Sequence, residues 1–227
     1  MLDRLQALDE AIFRAVNQGC AHPACDWLFA AASSEKVFLP ILAIGAVALL
    51  LCGGARGRLL VALAAMNLAI GDGLVNRGIR AMVQRPRPHE ALVGTRKIGW
   101  RDGAPHVSTI RNVYDKPGGK SFPSGHMINN VSTAAAAAWL YPAVAAPVAG
   151  WLALMGVARV YCGAHYPSDV LGSLWIGLAC AALNIALLEA AWRLARSRWP
   201  RPANAPPSLV GLATTKKKPG ALGETTN

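Results

Sequence analysis

Three short clusters hold most of the side chains in this sequence that can do chemistry: "RAMVQRPRP" at 80–88, "PSGH" at 123–126 and "ARVYCGAHYPSD" at 158–169. Arg80, Arg87 and Arg159 are permanent cations whose planar forks match phosphate oxygens. Ser124, Gly125 and His126 stand where a polar segment gives way to an apolar one, the place for a helix start. Backbone N–H groups and the positive helix end there hold an anion, and Gly125 lets a phosphate come close to the backbone. Two histidines, His126 and His165, suit a nucleophile and a general acid. Asp169 follows His165 by one helical turn. From there its carboxylate reaches back to the imidazole, fixes the tautomer and stabilises the charge that develops on attack. Each cluster alone has a plainer reading. Arginines after a span snorkel, Ser124 caps a helix, and His165 with Asp169 is a satisfied polar pair. The functional reading rests on their convergence.

That convergence depends on the elements between the clusters. Apolar residues make up 53% of the 227 and charged residues 15%, against roughly 25% charged in soluble proteins. Five apolar stretches follow one another, at about 37–52, 59–82, 126–141, 144–161 and 168–191. A span takes about 20 helical residues, and lipid admits only helices or closed barrels. The length and Ala/Leu content of the runs exclude strands within them. The expected fold is therefore all-α, an integral-membrane bundle of five transmembrane helices, or six if residues 3–34 also cross. Five spans in series put all three clusters on one face. Asp72, Asn76 and Arg77 lie deeper in the second span, where polar groups are costly and face an interior site.

The remaining segments follow from composition. Residues 1–36 form an N-terminal segment. Leu5, Leu8, Ile12, Phe13 and Val16 recur at helical spacing there, giving an amphipathic helix that lies on the membrane surface or packs on the protein. No cleavable signal peptide is visible. Residues 37–192 form the membrane domain, with a long polar loop at 83–122, and 193–227 form a basic tail that is expected to be disordered. The net charge of +11 is distributed between and after the apolar runs, so anionic membrane lipid is the expected partner. No zinc-finger spacing or basic helix with interleaved aromatics points to nucleic acid. Arg193, Arg196, Arg198 and Arg201 follow the last span and make the tail side cytoplasmic. Cys20 and Cys25 are either bridged or free, and the five cysteines contain no CxxC pair.

With those residues in place, the sequence resembles the type 2 phosphatidic acid phosphatase superfamily, whose pattern is K-x6-R-P, then P-S-G-H, then S-R-x5-H-x3-D. The chain reads Arg80-x6-Arg87-Pro88, Pro123-Ser124-Gly125-His126 and Ala158-Arg159-x5-His165-x3-Asp169. Arg80 replaces the lysine and Ala158 the serine, and neither change removes a group needed for bond breaking. The resemblance covers residues 37–190. It implies that His165 is the nucleophile, that Asp169 orients it, and that His126 is the acid that protonates the leaving oxygen. It further implies that Arg80, Arg87, Arg159, Ser124 and Gly125 hold the phosphoryl oxygens, with no metal and no cofactor.

The expected substrate is a lipid phosphate, with its tail in lipid and its phosphate at headgroup level on the outer face of a bacterial inner membrane. Undecaprenyl diphosphate, phosphatidylglycerophosphate, phosphatidic acid and lipid A all fit, and the oligomeric state is left open. A lipid phosphotransferase with the same intermediate is the alternative, and a non-catalytic transporter or scaffold is the reading from another class. Arg96, Lys97, Arg101, Arg111, Lys116 and Lys120 come to the mouth of the site on the long loop. They either hold a second anionic group or meet headgroups, with Trp100 as interfacial anchor and Gly118-Gly119 as hinge.

Overall fold

The computed structural model describes residues 2–198 together with 208, 209 and 211, and helix starts, turns and prolines cut residues 2–198 into nine α-helices and one hairpin. The N-terminal segment is α1 (Leu2–Arg14), a π-helical turn (Ala15–Gly19) and α2 (Pro23–Ala32), with Pro23 in the first turn, where its missing N–H costs nothing. Next come α3 (Glu35–Cys52) and α4 (Gly54–Met66). The latter continues through a π-helical stretch (Asn67–Asn76) into α5 (Arg77–Val83) without leaving helical dihedrals. The short α6 (Pro88–Ala91) and strands β1 (Arg96–Arg101) and β2 (Ala104–Thr109) occupy the polar segment. The bundle closes with α7 (Gly125–Leu140), α8 (Ala145–Tyr161) and α9 (Pro167–Arg198).

Four helical stretches, Glu35–Cys52, Gly54–Ala91, Pro142–Tyr161 and Pro167–Arg198, are long and apolar enough to cross a membrane. At 16 residues, α7 is shorter than they are. It lies in the middle of the bundle, against α4, the π-helical stretch, α8 and α9. Small residues let it sit there: a Cβ on Gly177 of α9 would stand 2.7 Å from the Cβ of Val131. α3 lies outermost, with Leu39, Leu42, Ile44 and Leu51 all exposed, a surface suited to lipid tails. Deep in the bundle Asn184 donates to the Oδ1 of Asn67, and both residues are fully buried. Such amide pairs join helices where water is absent.

Residues 3–34 form two short helices broken at Cys20–His22. α1 divides its apolar residues between two partners. Phe13 and Val16 pack on Val160 and Tyr166, while Leu5, Leu8 and Ile12 stay exposed. The polar segment is more ordered than a loop. β1 and β2 pair antiparallel, Arg96 opposite Thr109 and Arg101 opposite Ala104. The turn residues Asp102 and Gly103 have φ of 52° and 79°, the left-handed pair that a two-residue hairpin turn requires. Ile98 packs with Ala30, Tyr161 and Cys162. Trp100 stands edge-on to the exposed Trp27, ring centroids 5.2 Å apart. α9 runs on to Arg198, so the boundary expected at 192/193 falls inside a helix. Arg201 and Lys216–Lys218 lie outside the described residues. All five cysteines are free.

Candidate active site

The three clusters meet at the end of the bundle where α5 stops, α7 begins and α8 turns into α9. Ser124 takes the N-cap position of α7 with extended backbone angles, yet its hydroxyl makes no cap bond. Fully buried, that oxygen has no hydrogen-bond partner among the described residues. The capping role therefore leaves it unused, and the first amides of α7 have no intrahelical acceptor. Gly125 serves a different neighbour from the one expected. A Cβ there would meet the Asn76 side-chain nitrogen at 2.6 Å and Asp72 at 2.8 Å. The glycine lets α7 approach the π-helical stretch, where Asn76 donates to Asp72 at 2.6 Å.

Three arginines surround this helix start. Arg80 donates through Nε and a terminal nitrogen to the Pro123 carbonyl, at 3.3 and 3.2 Å. Arg87 donates to the Lys120 carbonyl at 3.4 Å. Arg159, 8% exposed, donates to the Ser33 hydroxyl at 2.6 Å and keeps its buried Nε free of any partner among the described residues. Unspent donors aimed at a buried helix start are the chemistry of an oxyanion site.

His165 is 1% exposed, and its Nδ1 lies 2.6 Å from the Ser121 carbonyl. A carbonyl only accepts, so Nδ1 carries the proton and Nε2 keeps its lone pair. Burial, then the charges of Arg159 and Arg87, push the imidazole well below its ordinary pKa, with only the Ser121 bond opposing. It is therefore neutral at pH 7. The loop that carries it turns at Gly163, φ 74°, where a Cβ would stand 2.6 Å from the Arg96 carbonyl.

The expected contact between Asp169 and His165 is not made. Asp169 accepts from the Ser121 hydroxyl at 2.5 Å, the Tyr166 amide at 2.9 Å and Arg85 at 2.6 Å. A helical turn brings the carboxylate near the imidazole, but Ser121 stands between them and joins them, its hydroxyl to Asp169 and its carbonyl to His165. Arg85 extends the chain of bonds. It pairs with Asp9 of α1 at 2.6 Å and covers the Tyr166 ring at 4.1 Å. Asp9 in turn accepts from the amide of Ser168 at 2.9 Å and from its hydroxyl at 2.5 Å.

His126 occupies a more open wall. Its Nε2 lies 3.3 Å from the carboxylate of Glu35, at the start of α3, whose side chain is 79% exposed. Among the cations expected at the mouth, Arg96 is committed elsewhere, at 2.7 Å from Asp26 and 3.2 Å from the Tyr161 hydroxyl. Both glycines expected as a hinge pack closely on their neighbours. A Cβ on Gly118 would meet the Glu90 carboxylate at 3.0 Å, and one on Gly119 the Gln84 carbonyl at 3.1 Å.

Sequence reasoning left Ser121, Arg85, Asp9, Ser33 and Glu35 out of the site. Arg85 carried a signal, standing two residues before Arg87 in "RPRP". Ser121 acts partly through a backbone carbonyl, which has no sequence signature.

A helical bundle with apolar outer faces, gathering three arginines, two histidines and a helix start at one end, defines a multi-pass membrane protein. The chain belongs to the PAP2 superfamily, whose profile matches residues 57–193. It is 35% identical over 107 residues to a lipid A 1-phosphatase of Rhizobium etli, covering 45% of this chain and 43% of that protein. It is 36% identical over 85 residues to a lipid A 1-phosphatase of Rhizobium johnstonii, covering 36% and 34%. The chain thus matches less than half the length of these curated relatives. Two crystal structures share the fold, each with a TM-score of 0.55. LpxE of Aquifex aeolicus is 21% identical, over 79% of this chain and 95% of that one. The first transmembrane PAP2-type phosphatidylglycerolphosphate phosphatase of Bacillus subtilis is 23% identical, over 82% and 87%.

Proposed function

We propose that this protein is a lipid phosphatase that removes a phosphate from a membrane lipid through a phosphohistidine on His165. The observation that carries this reading is the Ser121 carbonyl on His165 Nδ1, which leaves a neutral Nε2 as a nucleophile beside unspent arginine and helix-start donors. His165 Nε2 attacks phosphorus while the bond to the leaving oxygen breaks, and His126 gives that oxygen its proton. His126 then takes a proton from water as the water oxygen attacks phosphorus and the P–N bond breaks. Phosphate leaves and both imidazoles are restored. Arg80, Arg87, Arg159, Ser124 and the Gly125 amide neutralise the charge on the phosphoryl oxygens. The Glu35 carboxylate, 3.3 Å from His126 Nε2, lies on the side from which that nitrogen exchanges its proton.

The named relatives make the 1-phosphate of lipid A the first substrate to test, followed by undecaprenyl diphosphate, phosphatidylglycerophosphate and phosphatidic acid. The site, α1 and the hairpin share one end of the bundle. Arg193, Arg196 and Arg198 sit at the other, which by the positive-inside rule is cytoplasmic. The reaction is therefore assigned to the extracytoplasmic face of a bacterial inner membrane. Purified protein in mixed micelles, offered this panel, is expected to release free phosphate, to be inhibited by vanadate and to be indifferent to EDTA. Phosphate that appears only on a second lipid would make it a transferase. Turnover by His165→Ala would end the mechanism. An impermeant thiol reagent should label engineered cysteines in 89–122, and not in the tail, of intact cells.

A further inference from the structure

Beside the phosphate site, between α5 and the segment 117–120, lies an open cavity of about 640 Å³. Arg77, Arg80, Gln84, Gly119 and Lys120 are among its lining residues, and no carboxylate is. Among the described residues, the side chains of Arg77 and Lys120 have no hydrogen bond or ion pair. Two other cations near the site are held in ion pairs: Arg85 on two aspartates, Arg96 on Asp26.

The cavity is built into the fold. Gln84 ends α5 in the left-handed conformation, φ 48°. Gly119, φ 60°, fits its backbone against Gln84, where a Cβ would stand 3.1 Å from the carbonyl. One residue beyond Lys120, the Ser121 amide donates to the Arg85 carbonyl at 2.9 Å. Lys120 is thus pinned on both sides, next to the residue that orients His165. Arg80 belongs to both spaces, since its guanidinium bonds Pro123 at the start of α7 and also lines the cavity. On α5 and just before it, Leu74, Met82 and Val83 are exposed.

We infer that Arg77 and Lys120, with Arg80, form a second anion subsite that takes the other phosphate of a lipid bearing two, while the scissile phosphate lies against His165. This rests on the phosphatase reading and deepens it. One lost charge-assisted contact at such a site weakens binding by about tenfold.

The test is the Arg77→Gln/Lys120→Gln double variant, assayed on a lipid diphosphate, a lipid monophosphate with the same tail and p-nitrophenyl phosphate. KM for the diphosphate should rise about tenfold or more with kcat unchanged, while KM for the other two changes less than twofold. Inorganic pyrophosphate should inhibit the wild type more strongly than orthophosphate does, and the variant should lose that margin. Arg77→Lys/Lys120→Arg, which keeps both charges, should recover most of the affinity and controls for misfolding. Equal KM increases on both lipids would show a general lipid contact and overturn the subsite, as would no change on any substrate. A wild-type protein that releases phosphate from none of the three would refute the phosphatase reading instead.

Discussion

The two walls of the site are built differently. Around His165, Ser121, Asp169, Arg85, Asp9 and Ser168 form one connected set of bonds of 2.5–2.9 Å. Around His126 there is one contact of 3.3 Å, to a carboxylate that is largely exposed. The proposed roles account for the contrast. A nucleophile needs one tautomer and one direction of attack, so rigidity around it lowers the barrier. An acid that becomes a base must exchange partners during the cycle, and a close, buried partner would hold the proton back.

The largest effects should come from the histidines themselves. His165→Ala is expected to abolish phosphate release, because no other described group is placed to form the intermediate. His126→Ala should lose about 10²–10⁴-fold in kcat. If His165→Ala keeps measurable turnover, the closed wall is not the nucleophile's.

The closed wall should also fail as a unit. Asp169→Asn leaves Arg85 without one of its two carboxylates and should cost about 3–5 kcal/mol of stability, the usual cost of breaking a buried pair. The thermal transition reads this directly. Asp9→Asn removes a more peripheral bond of the set and should lower kcat by about tenfold with KM little changed. An Asp9 variant with wild-type kcat would show that the set stops at Arg85.

On the open wall the effects should be smaller. Glu35→Gln removes the exposed carboxylate 3.3 Å from His126 Nε2 and should lower kcat by no more than about fivefold, the upper range for an exposed pair. The acid limb of the kcat profile belongs to His165. Its folded pKa is depressed, so it stays neutral as pH falls through the ordinary imidazole value of about 6.5. Activity should therefore persist below that pH in wild type and in Glu35→Gln alike. An acid limb that moves with Glu35 would merge the two walls into one.

The legible parts of the site were those written locally. PSGH and the His165-to-Asp169 interval each fit within one or two turns, so composition and spacing exposed them. Asp9 meets Arg85 across 76 residues and Ser168 across 159, separations at which a single sequence shows no pairing. Glu35 looks like any acid in the first turn of a helix, favourable there for the helix dipole alone. The direct contact of Asp169 with His165 expected from their spacing is not made, because the intervening Ser121 comes from another segment. The hairpin was readable from Asp102-Gly103 between two short runs, but the polarity of its surroundings made it look like loop. The bundle itself was plain, since apolar runs of that length have few other uses.

The bond between Asp9 and Ser168 also sets an order on synthesis. Ribosomes add about 5–20 residues per second, so 159 residues separate these partners by roughly 8–30 s. Throughout that interval α1 is finished while the end of α9 that it grips does not yet exist. Its exposed Leu5, Leu8 and Ile12 give it a place to wait, on the membrane surface. The closed wall can form only after the last helix starts, so a nascent or truncated chain has no assembled set of bonds around His165.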